Sequence, residues 1–272
     1  MPQPPKPSKP ILRSPKLRRR LRAFLFAAIS FALLIAAWHY SVGTLFNSAL
    51  IASPGETFAK VWSMLASGEL LHNVAASLRR VLVGYVAGCV LGILFGALIG
   101  RYLIVREFVD PVLEFIRPIS PVALVPLAML WFGIGELSKY FIIVYATIVI
   151  VLMSTAAGVS RTPATRLRAA RCLGATDYQL FVKVILPSAI PYILTGMRIA
   201  LGFSFMGIVA AELIGANEGI GFLIMNSQML MQTARLFVGL LTLGVVGLVV
   251  DRIFRIILAR TMRRYMQSDE VV

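Results

Sequence analysis

Arg168–Pro187, RAARCLGATDYQLFVKVILP, is the stretch on which the reading of this chain turns. It is polar and charged, with a helical segment, then Gly174, then an apolar run that closes in Pro187. Strongly apolar blocks flank it on both sides. A chain that crosses a membrane several times has little reason to keep so ordered-looking a segment in a loop unless something docks on it.

The composition supports a membrane chain. Of 272 residues, 58% are hydrophobic and 14% charged, and the mean hydropathy is +0.84. A soluble domain carries about 25% charged residues. Long apolar runs with few charges belong to the membrane class. The 27 Lys+Arg against 12 Asp+Glu give a net charge of +15. That excess reads as a positive-inside bias, because the basic residues sit beside apolar spans and are not interleaved with aromatics. No nucleic-acid partner is expected. Cys89 and Cys172 have no Cys or His partner at a metal-binding or disulfide spacing, so neither kind of site is expected.

Reading outward from the loop, residues 159–187 form an internal connection rich in Arg161, Arg166, Arg168, Arg171 and Lys183. Such short basic loops set orientation. The fourth span precedes it, from about Tyr140 to Gly158. The fifth follows, from about Ala189 to Ile214, with Glu212 at its outer end, where a carboxylate can reach water. Residues 215–235 read as an external segment with a turn at Gly219-Ile220-Gly221, and the sixth span runs from about Leu236 to Val250. Toward the N-terminus, a third span interrupted by Pro118, Pro121 and Pro126 ends near Trp131-Phe132-Gly133. Broken helix is tolerated in a membrane where protein or a water cavity covers the freed backbone groups. Pro126, Trp131, Phe132 and Glu212 are therefore candidate pathway or gate residues. Asp110, Glu114 and Arg117 recur at helical spacing, which suggests ion pairing on one helix face.

The second span, about Leu78 to Gly100, carries Gly84, Gly88, Gly92, Gly96 and Gly100, a groove along one helix face. Lipid supplies no hydrophobic force between helices, so such grooves serve close backbone approach. Packing within the chain is the simplest use; a dimer contact or a sliding surface is the alternative. Arg79 and Arg80 at its outer end run against the positive-inside bias, and snorkelling to headgroups would accommodate them. Residues 23–76 hold a first span, Ala23 to about Tyr40, and an external amphipathic segment. In that segment Ser53-Pro54-Gly55-Glu56 is a helix start and Phe58, Val61, Trp62 and Leu65 form a stripe. Residues 1–22 read as a disordered basic arm on the cytoplasmic side. Residues 77–265 are the core, and 266–272 a tail. The fold expected is an all-α membrane protein of about six spans, with both termini cytoplasmic.

The chain lacks the common catalytic signatures. No glycine is followed by lysine, so there is no phosphate-cradling GK[ST] loop, and there is neither HExxH nor GxSxG. Few ionisable residues lie deep in a span, where ion-coupled transporters keep them. Ser154, Thr155 and Ser204 read as helix-packing hydroxyls. The chain thus shows no energy source of its own.

Here a resemblance becomes specific. Ala169 and Ala170, Gly174 at the matching spacing, and the closing Ile185-Leu186-Pro187 resemble the EAA loop of ABC-importer permeases. Arg168 stands where that pattern has glutamate, which bears on a charge-specific contact there and not on docking. Ser77-Leu78-Arg79-Arg80-Val81-Leu82-Val83-Gly84 is similar to the second-span opening of the nitrate, sulfonate and taurine branch. So are Leu130-Trp131-Phe132-Gly133-Ile134-Gly135 after Pro126, and the block from Glu212 through Ala216-Asn217 to Gly219-Ile220-Gly221-Phe222-Leu223.

The resemblance implies a type I ABC-importer permease fold in the bacterial inner membrane. It implies a second permease copy, cytoplasmic ABC ATPases that hold ATP and magnesium, and an extracytoplasmic binding protein. Arg168, Ala169, Ala170, Leu173, Gly174, Ala175, Asp177, Phe181 and Pro187 would form the ATPase-coupling surface. The substrate would be a small solute, with an organic anion such as an alkanesulfonate or taurine favoured, or nitrate. The alternatives are an ion-coupled secondary transporter and a membrane scaffold. The scaffold leaves the loop unexplained.

Overall fold

The computed structural model describes residues 15–44 and 50–261. All regular structure among them is helical. Two compact units divide at Ala59/Lys60.

The N-terminal unit contains helix α1, Pro15–Thr44, with non-helical backbone at Val42 and Gly43. The arm expected to lack structure through Arg22 is therefore helical from Pro15. A proline suits a first helical turn, and the Lys-, Leu- and Arg-rich run after it consists of good helix formers. Residues 1–14 and the expected tail at 266–272 lie outside the described residues. Helix α2, Pro54–Ala66, starts at the predicted place. The Ser53 hydroxyl accepts from the Glu56 amide at 3.3 Å, and the Glu56 carboxylate accepts from the Ser53 amide at 3.0 Å, a reciprocal capping box. Phe58, Trp62 and Leu65 are exposed along its apolar stripe.

The larger unit is built on α3 (Glu69–Arg101), α6 (Glu136–Ser160) and α9 (Leu186–Gly215). Helix α6 lies between the other two, and glycines set both contacts. A Cβ placed on Gly84, Gly88 or Gly92 would stand 2.7, 2.6 or 2.8 Å from Ile143, Thr147 or Val151 of α6. One on Gly96 would stand 2.5 Å from the Leu152 carbonyl oxygen. The glycine groove is thus filled by α6 of the same chain. On the opposite side, Gly196 of α9 admits Ser154, and Gly158 of α6 admits Tyr192. The Tyr85 hydroxyl donates to the Met197 carbonyl at 2.9 Å, tying α3 to α9. Thr147 and Ser204 share a hydrogen bond of 2.9 Å, and Thr155 donates to Val151. These hydroxyls satisfy backbone and each other, as helix-packing groups do.

Between α3 and α6 the chain bends. Helix α4 (Leu103–Ile116), a short 3₁₀ turn (Pro121–Leu124) and helix α5 (Val125–Phe132) replace a straight third span, and the two limbs meet at 85°. The Tyr145 hydroxyl of α6 lies 3.1 Å from the carbonyls of both Ile116 and Ile119, covering the backbone groups freed at the break. The expected ion pairing on α4 is shifted: Asp110 pairs with Arg106, one turn earlier, at 3.1 Å. Among the described residues no ion pair joins Glu114 and Arg117. Their registers allow contact, but long side chains on an unburied helix are free to point into solvent.

Among the described residues four helices are long and apolar enough to cross a membrane: α3, α6, the continuous Asp177–Gly215 helix, and Thr233–Arg260 within α11 (Thr233–Thr261). The bent pair makes a fifth if counted as one span. The first expected span, Ala23 to about Tyr40, rests on α1, whose apolar part is Ala28–Thr44. At ~1.5 Å per residue that part reaches only ~25 Å of a ~30 Å hydrocarbon core. Residues 215–235 are also more than an external turn. They contain α10 (Ile220–Met229), whose Ile220, Leu223, Ile224 and Ser227 are buried. Leu223 packs with Met64, Leu70 and Val238.

Candidate functional site

The Arg168–Pro187 loop is a built object. Helix α7 (Ala164–Cys172) ends in a paired set of backbone bonds. Gly174 N donates to Arg171 O at 2.9 Å, and Ala175 N to Ala170 O at 3.1 Å, with Gly174 at φ +78°. This is the left-handed helix stop that glycine supports best. Thr176 then caps α8 (Asp177–Leu180) in a second capping box with Gln179, at 3.3 and 3.0 Å. A wide π turn, Phe181–Ile185, carries the chain into α9 without a break. Pro187 lies in the first turn of α9, and the helix runs through it without a break. Leu186 N reaches back to Phe181 O in that wide turn, and the looser winding accommodates a residue that has no N–H to donate.

The loop has an inner and an outer face. Leu167, Ala170, Leu180 and Phe181 pack with Val159, Ile185, Ala189 and Ile193, where α6 ends and α9 begins. Arg101, the last residue of α3, places its guanidinium 3.6 Å from the Asp177 carboxylate and 6.0 Å from the Phe181 ring centroid. The loop is thereby fastened to three helices. Its outer face carries Arg168, Ala169, Cys172, Leu173, Gly174 and Asp177. Leu173 is 88% exposed and Tyr178 76%, an apolar pair left uncovered on a polar loop. Ala170, Ala175, Phe181 and Pro187 are partly covered. Neither Arg101 nor Tyr178 is singled out by the sequence pattern.

The candidate pathway residues do not form one site. Trp131 and Phe132 gather on Phe141, with ring centroids 6.0 and 5.2 Å away. Pro126 is exposed near the start of α5. Glu212 belongs to another cluster and does not reach water: it is 1% exposed.

That cluster centres on Arg80, also 1% exposed. Its guanidinium does not snorkel. It donates Nε and Nη2 to the two oxygens of Glu136 at 2.7 and 2.8 Å, and Nη1 to Glu212 at 2.9 Å and to the Glu218 carbonyl at 2.8 Å. Nη2 also reaches the Glu218 carboxylate at 3.0 Å. Glu212 further accepts from the Ser77 hydroxyl and, at 2.9 Å, from the Gly221 amide. Ser77 accepts from Ile220 N, and Asn73 from Gly219 N, each at 2.8 Å. Lys139 pairs with Glu136 at 2.9 Å, and Arg79 stands 3.9 Å from both Glu136 and Glu218. Arg79, Arg80 and Lys139 thus balance Glu136, Glu212 and Glu218. His72 adds a 2.9 Å contact to Glu218.

Buried charges persist only when paired and fully hydrogen-bonded, and both conditions hold here. The network locks the first residues of α6, the end of α9 and the 216–221 turn onto α3, at the end of the bundle opposite the loop. Gly219, at φ +122°, lies so close that a Cβ there would sit 2.4 Å from the Glu212 carboxylate. Gly219→Ala is therefore expected to lower the thermal unfolding temperature of the detergent-solubilised chain, whereas Ala at Gly244, with nothing within 4 Å, leaves it unchanged or raises it.

Residues 88–263 match the family model described as "Binding-protein-dependent transport system inner membrane component". A probable ABC transporter permease protein of Brucella melitensis is 37% identical over 239 residues, which cover 88% of this chain and 96% of that protein. The taurine transport system permease protein of Escherichia coli is 35% identical over 81% of this chain and 82% of its own length. A crystal structure of an amino acid ABC transporter with histidines superposes with a TM-score of 0.58, covering 75% of this chain and 98% of that one at 19% identity; that likeness bears on the fold. Both curated relatives are permease proteins by name, and they and the apolar helices together mark a multi-pass inner-membrane protein. The chain belongs to the binding-protein-dependent transport system inner membrane component family, the permease subunits of ABC transporters.

Proposed function

We propose that this permease is one half of an import pathway completed by a second copy of the chain, driven by a cytoplasmic ATPase docked on the outer face of Arg168–Pro187. An extracytoplasmic binding protein delivers a small organic anion, such as taurine or another alkanesulfonate, or nitrate. Both termini lie on the ATPase side. The observation that carries the reading is the construction of the loop. Leu173 and Tyr178 face outward, uncovered, while Leu167, Ala170, Leu180, Phe181 and the Arg101–Asp177 contact fix the segment to α3, α6 and α9. A push on such a loop moves helices and is not absorbed by slack chain. The contact is of the helix-in-groove kind. The substrate class draws support from the relative named for taurine transport.

The test is purification of the tagged chain from its native membrane in mild detergent, with mass spectrometry of what accompanies it. A stoichiometric ATPase bearing a GK[ST] loop is expected. Recovery of the chain alone, with uptake driven by an ion gradient, would sink the proposal. Gly174→Trp sharpens the test. The backbone there is left-handed, which costs an L-residue ~1–2 kcal/mol, and the space around it within the chain is open. The variant is expected to insert normally, to lose the ATPase on purification, and to show no ATP-driven uptake.

A further inference from the structure

Beside the loop, where α6 ends and the continuous Asp177–Gly215 helix enters the bundle, lies a recess of about 390 Å³. Arg161, Arg166 and Lys183 line it, with Ser188, Pro191 and Tyr192. Arg166 donates to the Ser188 hydroxyl at 3.3 Å, and the Arg161 guanidinium stands 6.0 Å from the Tyr192 ring centroid. Among the described residues none of these three cations is paired with a carboxylate. Elsewhere the chain does supply such partners: Arg106 has Asp110, and Arg198 and Arg255 share Asp251. Among the described residues the recess therefore holds three positive charges, a hydroxyl and no carboxylate.

A second hollow adjoins it. Pro191 and Tyr192 are shared with a neighbouring groove of about 460 Å³ that runs on along α6 and α9, past Met153, Ala157 and Thr195. A cationic mouth that continues into a mainly apolar groove suits an amphiphile better than a free ion. Its depth agrees. From Lys183 to the helix end at Gly215 is ~48 Å at ~1.5 Å per residue, slightly more than the ~40–45 Å of a bilayer with its headgroup layers. Lys183 thus stands at headgroup level when the span is centred.

We propose that this recess binds the phosphate of an acidic phospholipid, with an acyl chain laid in the adjoining groove between α6 and α9. The site differs from the outward Leu173–Tyr178 face, and the proposal depends only on the chain spanning a bilayer, not on the ATPase or the substrate.

The test is native mass spectrometry of the full chain in detergent with added phosphatidylglycerol or phosphatidylcholine. Selective retention of phosphatidylglycerol is expected. Arg161→Gln, Arg166→Gln and Lys183→Gln should each weaken it about fivefold, the effect of one basic residue near an anionic surface. Arg252→Gln and Arg260→Gln, basic positions on α11 that line neither the recess nor the adjoining groove, should leave it unchanged. The wild-type comparison of the two lipids needs no variant, so it stands even if a substitution impairs folding. Equal retention of both lipids overturns the proposal, as does equal loss from the α11 variants. Displacement of phosphatidylglycerol by millimolar inorganic phosphate would identify a site for a free oxyanion and would overturn the lipid assignment.

Discussion

Glu212→Ala is expected to destabilise the detergent-solubilised chain by ~3–5 kcal/mol, the usual cost of removing one partner of a buried ion pair. The substitution removes an acceptor from three donors at once: Arg80 Nη1, the Ser77 hydroxyl and the Gly221 amide all aim at that carboxylate. Arg80→Met should cost as much or more, because Glu136, Glu212 and Glu218 then crowd together with only Lys139 and the more distant Arg79 to offset them. The double variant Arg80→Met/Glu212→Ala should lose less than the sum of the singles, since it removes both buried charges together. Thermal melts followed by monodispersity on size exclusion measure all three. Losses below ~1 kcal/mol, the scale of exposed pairs, would mean that water screens the cluster and that it does not clamp the helices.

Gly96→Ala is the second large effect, and its strength lies in its control. One methyl on Gly96 meets the Leu152 carbonyl oxygen at 2.5 Å, and that oxygen belongs to the backbone of α6. It cannot swing aside, so α6 must move bodily, at a cost of ~1–3 kcal/mol or more for overpacking. Gly202→Ala introduces the same methyl in the middle of α9, where nothing lies within 4 Å. There the better helix propensity of alanine should leave stability equal or raise it by up to ~1 kcal/mol. Unfolding temperatures should therefore move in opposite directions. Equal tolerance would show that α3 and α6 do not approach as closely as the glycine groove implies.

These two sites differ in how much could be read beforehand. The groove follows from a four-residue period on one helix, and the helix start at Ser53 and the break at Gly174 follow from residues within three or four positions of each other, whereas the Thr176–Gln179 capping box emerges only from the structure. Local geometry relates such residues directly. Arg80 meets partners 56, 132 and 138 positions away, and no local rule selects them. Charge-orientation logic alone made Arg80 a misfit and left Glu212 facing water, because that logic assigns a residue to a depth and not to a neighbour. The bend at Ile116–Pro121 was legible as a run of prolines, but the Tyr145 hydroxyl that covers it was not. The continuous helix through Pro187 was hidden for the same reason: whether a proline ends a helix depends on whether the preceding turn can widen.

The separation of the Arg80 partners along the chain also imposes a timetable. Synthesis at ~5–20 residues per second brings Glu136 out ~3–11 s after Arg80, and Glu212 ~7–26 s after it. During that interval an arginine already inserted with α3 has one carboxylate to rely on, and the 216–221 turn that completes its hydrogen bonds does not yet exist. Glu136 is thus the custodian of a half-made protein, and a nascent chain stalled before α9 would expose an incompletely answered charge to whatever quality control inspects the membrane.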